Sequence, residues 1–365
     1  MPAKYFAPAF KVQVNGRRLA ADVSKNILDL SVTHELDTTD LFSLNLANPY
    51  PEMRWTHTED AKLFNEGNGI KIELGYVDDM QMMLDGEITR ISPSFPESGT
   101  PTVRIEGHSR LHRLQGSRNT RTFQNVTDKQ IVEKIAQDLQ LTPQVENTET
   151  QHPYVIQYNQ TDLDFLKERA QYIHFEVRVE GKNLIFRRAK ADQGKNYTLV
   201  WGNPSKGFSP AQSVLPLRSF TPTLNTLRQV NQVIVRGYDP KNKKEIIGKA
   251  GAGDEETTMG GAQTGPQVAN SAFGGSKEEV RVDSPIASQA EADQRARSLY
   301  NQRALELVTG SGATIGLPDL RAGRVIELDG LGPRFSGPYY VTQATHSIGG
   351  AGYLTTFLAK RNSVS

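Results

Sequence analysis

The sequence predicts a mainly β chain of the α+β class, with a strand-rich module near each end and an α/β insert between them. Three observations carry this. Short period-two segments punctuated by Gly- and Asn-containing turns fill residues 8–107 and return after Trp201, the spacing of a small barrel or sandwich. Helix-period stripes with their own start signals fall in residues 127–173 and 288–304. The two strand-rich ends also resemble each other. Gly69-x-x-Ile72-x-Leu74, Leu84-x-Gly86 and a strand from Thr102 are mirrored by Gly323-x-x-Ile326-x-Leu328, Phe335-x-Gly337 and a strand from Tyr353. Such self-similarity is expected of two related β domains, although any two β meanders share some of it.

Taken in order, Lys11 to Val14 alternates and ends in Asn15-Gly16, a strong hairpin signal. Strands follow at Ile27–Thr33, Asp40–Leu46, Gly69–Tyr76, Leu84–Ile91 and Thr102–Gly107, with a polar stretch holding Trp55 and His57 among them. Thr127-x-x-Gln130 is a capping box, and Ile131, Ile135 and Leu139 share one face of the helix it opens, which Thr142-Pro143 ends. Thr161 caps a second helix with Leu163, Leu166, Ala170 and Ile173 as its buried stripe. A hairpin over Phe175–Val179 and Leu184–Phe186 completes a compact α/β unit. Strands resume at Leu217 and Asn231. Gly248–Ser276 is Gly-rich and polar and reads as a flexible excursion. Ser288-x-x-Glu291 opens a long helix to about residue 308, and a three-stranded antiparallel meander closes the chain from Arg324. The expected domains are residues 1–115, 116–200 and 201–365.

Composition narrows the function classes. Lys plus Arg number 42 and Asp plus Glu 41, so no net field favours nucleic acid or an anionic membrane. Cysteine is absent, which removes disulfides, thiolate nucleophiles and Cys-based zinc sites. No secretory apolar segment follows Met1 and no apolar run approaches the roughly 20 residues that span a bilayer, so assembly in the cytoplasm is expected. Phosphate-loop, nucleophile-elbow and zinc-helix motifs are missing. His108 and His112 sit four apart, but among Arg110 and Arg113 and directly after a strand, which speaks against a metal. Glu327 and Asp329 share a strand face with Tyr339, Tyr340 and Tyr353 near in sequence, the raw material of a glycosidase cleft; alternation with apolar residues is also what any solvent-facing strand shows. Arg118, Arg121, Arg187 and Arg188 are isolated pairs without a stacking run. Neither a cofactor nor a metal site is expected.

Three stretches carry a family resemblance. Pro318-x-Leu320-x-x-Gly323-x-x-Ile326-x-Leu328, followed by Phe335-Ser336-Gly337-x-Tyr339-Tyr340-Val341-Thr342 and His346, resembles the C-terminal signature of the phage late control protein D family. Gln157-x-Asn159-x-Thr161-Asp162-Leu163-Asp164-Phe165-Leu166-x-x-Arg169-Ala170 and Val235-x-Gly237-Tyr238-Asp239-Pro240 add to it. That family comprises baseplate hub proteins of contractile phage tails, extracellular contractile injection systems and the hub portion of type VI secretion VgrG spikes. The resemblance implies two tube-like antiparallel β-barrel domains, with the α/β insert between them. It further implies a structural homotrimer that adapts a hexameric inner tube protein to a threefold spike, with other baseplate proteins as further partners. A needle domain like that of type VI spikes does not follow in this sequence, so the spike is expected to be a separate protein. Glu327, Asp329, Tyr339, Tyr340, His346 and Tyr353 are the candidate interface residues. A tail-associated cell-wall-degrading glycoside hydrolase is the alternative, and a transcription factor a weaker one for want of DNA-reading helices.

Overall fold

The first module is a six-stranded sheet with a small appendage. Its elements, in a computed structural model that describes residues 7–48, 63–189, 197–202, 214–239, 242–282, 286 and 288–365, are β1 (Pro8–Val14), β2 (Arg17–Arg18), α1 (Ala21–Lys25), β3 (Ile27–Glu35), β4 (Leu41–Ala47), β5 (Gly69–Tyr76), β6 (Asp79–Ser94) and β7 (Thr102–Ser109). Trp55, His57 and Pro240 lie outside the described residues. Asn15 and Gly16 both take positive φ, so the expected tight turn forms, but β2 pairs with β1 over only two residues. The strands lie side by side in the order β3-β4-β7-β6-β5-β1. Leu30, Val32, Leu44, Ile72 and Ile105 face a common core, as the period-two alternation requires.

The insert follows as β8 (Arg118–Thr127), α2 (Asp128–Asp138), β9 (Thr142–Val145), β10 (Gln151–Thr161), α3 (Asp162–Tyr172), β11 (Phe175–Glu180) and β12 (Asn183–Arg188). The Thr127–Gln130 capping box opens α2 as read from sequence. Ile131, Val132 and Ile135 are fully buried against Leu166 and Phe186, worth about 1.5–3 kcal/mol each. Leu111 and Leu114, before the expected boundary at residue 115, belong to this core.

The C-terminal portion holds two main cores and a small third cluster of Met259, Val325 and Tyr340. β13 (Thr198–Val200) and β14 (Val214–Leu224) begin a barrel that is interrupted by a second α/β unit: β15 (Gln232–Asp239), β16 (Lys244–Gly251), β17 (Gln263–Thr264), α4 (Gly265–Phe273), β18 (Glu278–Arg281) and α5 (Gln289–Ala304). The barrel then resumes with β19 (Val308–Ile315), β20 (Val325–Asp329), β21 (Gly337–Gly349) and β22 (Gly352–Arg361), and β23 (Ser363–Val364) pairs with β17. The six strands β14-β19-β22-β21-β20-β13 close on themselves, since β13 is hydrogen-bonded in parallel to both β20 and β14. This is the closed barrel expected of the C-terminal end, mixed rather than wholly antiparallel.

Gly248–Ser276 departs from the expected flexible excursion. Its glycines surround the end of β16, a buried Met259 and α4, where Thr264 and Gln267 form a capping box. Gly248 is required by contact, because a Cβ there would meet the Ala292 backbone at 2.2 Å. The long helix α5 lies across β15 and β16, with Ala292, Ala296 and Tyr300 in their core.

Candidate assembly interface

Both β modules use one blueprint. Matching strands in chain order pairs β1 with β13, β3 with β14, β4 with β19, β5 with β20, β6 with β21 and β7 with β22. The spatial orders β3-β4-β7-β6-β5-β1 and β14-β19-β22-β21-β20-β13 are then identical, and directions agree except that β1 runs antiparallel to β5 where β13 runs parallel to β20. The repeat read from sequence is therefore present in topology. Its glycine markers are not equivalent: Gly86 lies within β6, opposite Ile70, whereas Gly337 starts β21, opposite Leu328.

The modules join edge to edge. β3 runs antiparallel to the later half of β21, from Leu30 opposite Ile348 to Glu35 opposite Gln343. One sheet thus passes from the first module into the barrel. Thr33 and Thr345 share a hydroxyl hydrogen bond of 2.9 Å across this seam, and Gln343 donates to Glu35 at 3.2 Å. Beneath it, the rings of His34 and His346 meet edge-on at 5.8 Å. His346 Nε2 lies 3.0 Å from the Leu320 carbonyl, so this nitrogen donates and Nδ1 accepts from the Tyr353 hydroxyl at 3.1 Å. Burial, with His34 and Arg321 nearby, holds the His346 imidazole well below its ordinary value and keeps it neutral. Tyr76 donates to the Gly316 carbonyl at 2.9 Å, and Arg321 Nη2 to the Met82 carbonyl at 2.6 Å. A cavity of about 320 Å³ lined by His34, Asp40, Met83, Arg178, Glu180 and Arg321 marks where both modules and the insert converge.

The six candidate interface residues divide. Tyr339, Tyr340, His346 and Tyr353 are buried within the chain, a correction to the reading that presents them to a partner. An aromatic, β-branched run describes a strand covered on both faces as well as an exposed one, and the packing of the barrel against its neighbouring modules decides which. Tyr340 donates to Glu176 at 2.7 Å, tying the barrel to the insert, and burial followed by Glu176 drives its phenol well above the ordinary value. Since these tyrosines are buried, Tyr339 in the barrel core, Tyr340 against the insert and Tyr353 in the core of the first module, they form no sugar platform beside the carboxylates. Glu327 is half-buried opposite Pro338, and Asp329 is exposed and accepts from the Gly330 amide at 2.7 Å. His108 and His112 stand 6.4 Å apart and are held separately, by Thr39 at 3.2 Å and the Ser109 carbonyl at 3.0 Å. Among the described residues no three His, Asp or Glu side chains cluster as a metal would need, and no helix is long and apolar enough to cross a membrane.

The motif stretches turn out to be scaffolding. Gln157, fully buried, donates to Asp162 at 2.8 Å and to the Gln160 carbonyl at 3.0 Å, and accepts from Arg121 at 2.8 Å. Arg169 donates to Asp128 at 2.6 Å, and His152 Nε2 donates to the other oxygen of the same carboxylate at 3.1 Å. Burial raises the Asp128 carboxyl, but His152 and Arg169 outweigh it and hold the group below its usual range. Asp239 accepts from the Asn242 side chain at 2.6 Å and shapes its turn. What the sequence reading missed is the strand edges, because hydrogen-bonding capacity along an edge is a property of the backbone.

A family model described as the Alg8 N-terminal domain matches residues 6–350. No curated protein matches the sequence. Among solved structures, the fold is shared with the 43 kDa tail protein of prophage MuSo2 from Shewanella oneidensis, at 12% identity over 97% of this chain and 98% of that one with a TM-score of 0.72. It is also shared with the tail protein from Neisseria meningitidis MC58, at 12% identity over 98% and 97% with a TM-score of 0.69. A third match is the E. coli c3393 protein, a component of the type VI secretion system with structural similarity to T4 bacteriophage tail proteins gp27 and gp5, at 14% identity over 97% and 77% with a TM-score of 0.58. At these identities the likeness is one of fold.

Proposed function

The chain belongs to the family described as the Alg8 N-terminal domain and has the fold of phage tail proteins, and from this premise we propose that it is a structural baseplate hub of the late control protein D type. On this reading it acts as a homotrimer in a phage tail or a tail-derived injection particle, between a hexameric inner tube and a threefold spike. The observation that carries the proposal is the duplicated blueprint joined through β3 and β21. Three copies of a chain holding two equivalent modules present six similar places to the tube and three to the spike, which reconciles the two symmetries in one component. Exposed Asp329 and half-buried Glu327 stay candidates for tube or spike contact.

Light scattering of the purified chain is the test. A mass three times that of the 365-residue chain, with co-purification of tube and spike proteins, is the expected result. A stable monomer that ignores both overturns it. Purified peptidoglycan should show no loss of turbidity, and clearing abolished by Glu327→Gln would establish the hydrolase instead.

A further inference from the structure

The seam inside one chain carries a template for the seam between two chains, and the strand irregularities locate it residue by residue. In the described ladders, each of the four strands concerned has a register shift at a matching place. β3 shifts between Ile27 and Asp29 against β4, and its counterpart β14 shifts between Leu217 and Ser219 against β19. β21 shifts between Val341 and Gln343 against β22, and its counterpart β6 shifts between Ile88 and Arg90 against β7. Bulges bend a strand and divide its edge into segments. In β21 the segment past the bulge, Gln343 to Ile348, is the part that receives β3.

Among the described residues, the corresponding segments of the other two strands have an open edge. β5 pairs with β6 only as far as Glu87, so Arg90 to Ser94 has a ladder on its β7 side alone. β13 pairs with β14 only through Pro216, so Ser219 to Leu224 has a ladder on its β19 side alone. Among the described residues, then, the first module lacks what β3 supplies to the barrel, and the barrel lacks what β21 supplies to the first module.

We propose that β14 of one copy pairs antiparallel with β6 of the next, repeating the β3–β21 seam around a closed ring. The inference rests on the hub reading and adds the residues of the copy-to-copy contact. The bulges set the register: Thr33 is four residues past Asp29 and Thr223 four past Ser219, while Thr345 is two past Gln343 and Ser92 two past Arg90. The Thr33–Thr345 hydroxyl pair therefore maps onto Thr223 and Ser92, again two hydroxyls. His34 opposite Ala344 maps onto Leu224 opposite Ile91, two partly buried apolar residues on the edges of their own cores. Pro222 falls opposite Pro93, the place of Val32 and His346 in the template, so this rung lacks both N–H donors and the ladder between copies holds on either side of it. The contact is heterologous, joining different strands of two copies, and such contacts form rings when the rotation closes.

Absence of cysteine makes disulfide trapping clean. The double variant Thr223→Cys with Ser92→Cys should give, under mild oxidation, covalent dimers and trimers that reductant dissolves, comprising most of the protein. Mixing Thr223→Cys chains with Ser92→Cys chains should give covalent species that stop at dimers, while either single variant alone stays uncrosslinked. Thr223→Cys with Ile91→Cys, which places the second thiol on the opposite strand face, should trap at least tenfold less. Thr33→Cys with Thr345→Cys, which closes within one chain, reports that the fold tolerates the chemistry. A double variant that is trimeric by light scattering yet does not cross-link overturns this seam and leaves the hub reading standing. A monomer by light scattering overturns both.

Discussion

Gly337 shows how a motif residue serves the interior. Its φ of +134° is one that side chains rarely adopt, and a Cβ there would lie 2.7 Å from the guanidinium of Arg361. Arg361 is itself buried, donates to the Ser336 carbonyl at 2.5 Å and lies over the Tyr339 ring at 5.8 Å. The Phe335-Ser336-Gly337 turn thus exists to seat a buried cation. Gly337→Ala should destabilise by about 1–3 kcal/mol, read as a lower urea midpoint. His346 supplies a pH dependence. Its folded imidazole sits below the ordinary 6.5, so the unfolded chain binds the proton more readily and stability, complete above about pH 6.5, declines as pH falls below it. Unfolding midpoints at pH 7.5 and 5.5 should differ, and His346→Gln should shrink the difference.

Individual elements were legible in the sequence where a local signal named them. The Thr127 and Thr161 caps, the Asn15-Gly16 turn and the alternating strands all appear where read. Thr127→Ala should cost about 1 kcal/mol, measured by chemical denaturation. The misses have local causes too. The Gly-rich composition around α4 hid a Thr264–Gln267 capping box with Pro266 behind it, and three-residue β13 is too short for any periodicity to show. The long helix α5 was found, but not its second partner: Gln302 reaches the Gln171 carbonyl at 3.1 Å, which docks it onto the insert. Near that contact lies the buried Asp128–His152–Arg169 cluster, with Glu291 of α5 3.7 Å from His152. Arg169→Ala leaves Asp128 buried without its main counter-charge, and a loss of about 3–5 kcal/mol is expected in the same measurement.

For the whole molecule, the sequence showed that the ends were alike but not how they meet. Glycine spacing suggested kinship through markers that the structure does not superimpose, whereas strand order and bulge positions, invisible before folding, are what the two modules share. The four buried aromatic and histidine candidates were misplaced for a related reason: a strand pattern cannot tell that both faces of β21 will be covered, one by the barrel core and the other by neighbouring modules. The proposed contact between copies consists of backbone hydrogen bonds, hydroxyls and an apolar pair, and the chain has almost no net charge. Raising salt from about 0.1 to 0.5 M, which shortens the screening length about twofold, should therefore leave the mass seen by light scattering unchanged.

Covalent linkage of two modules has a kinetic corollary. A ring built from six separate pieces must win five encounters, each opposed by lost translational freedom, whereas in the proposed trimer every second neighbour arrives already tethered at high local concentration and two encounters suffice. Fewer collisions are then needed to nucleate the particle. A lesion at the copy-to-copy seam would also strike alternate joints only, leaving paired modules intact as soluble precursors.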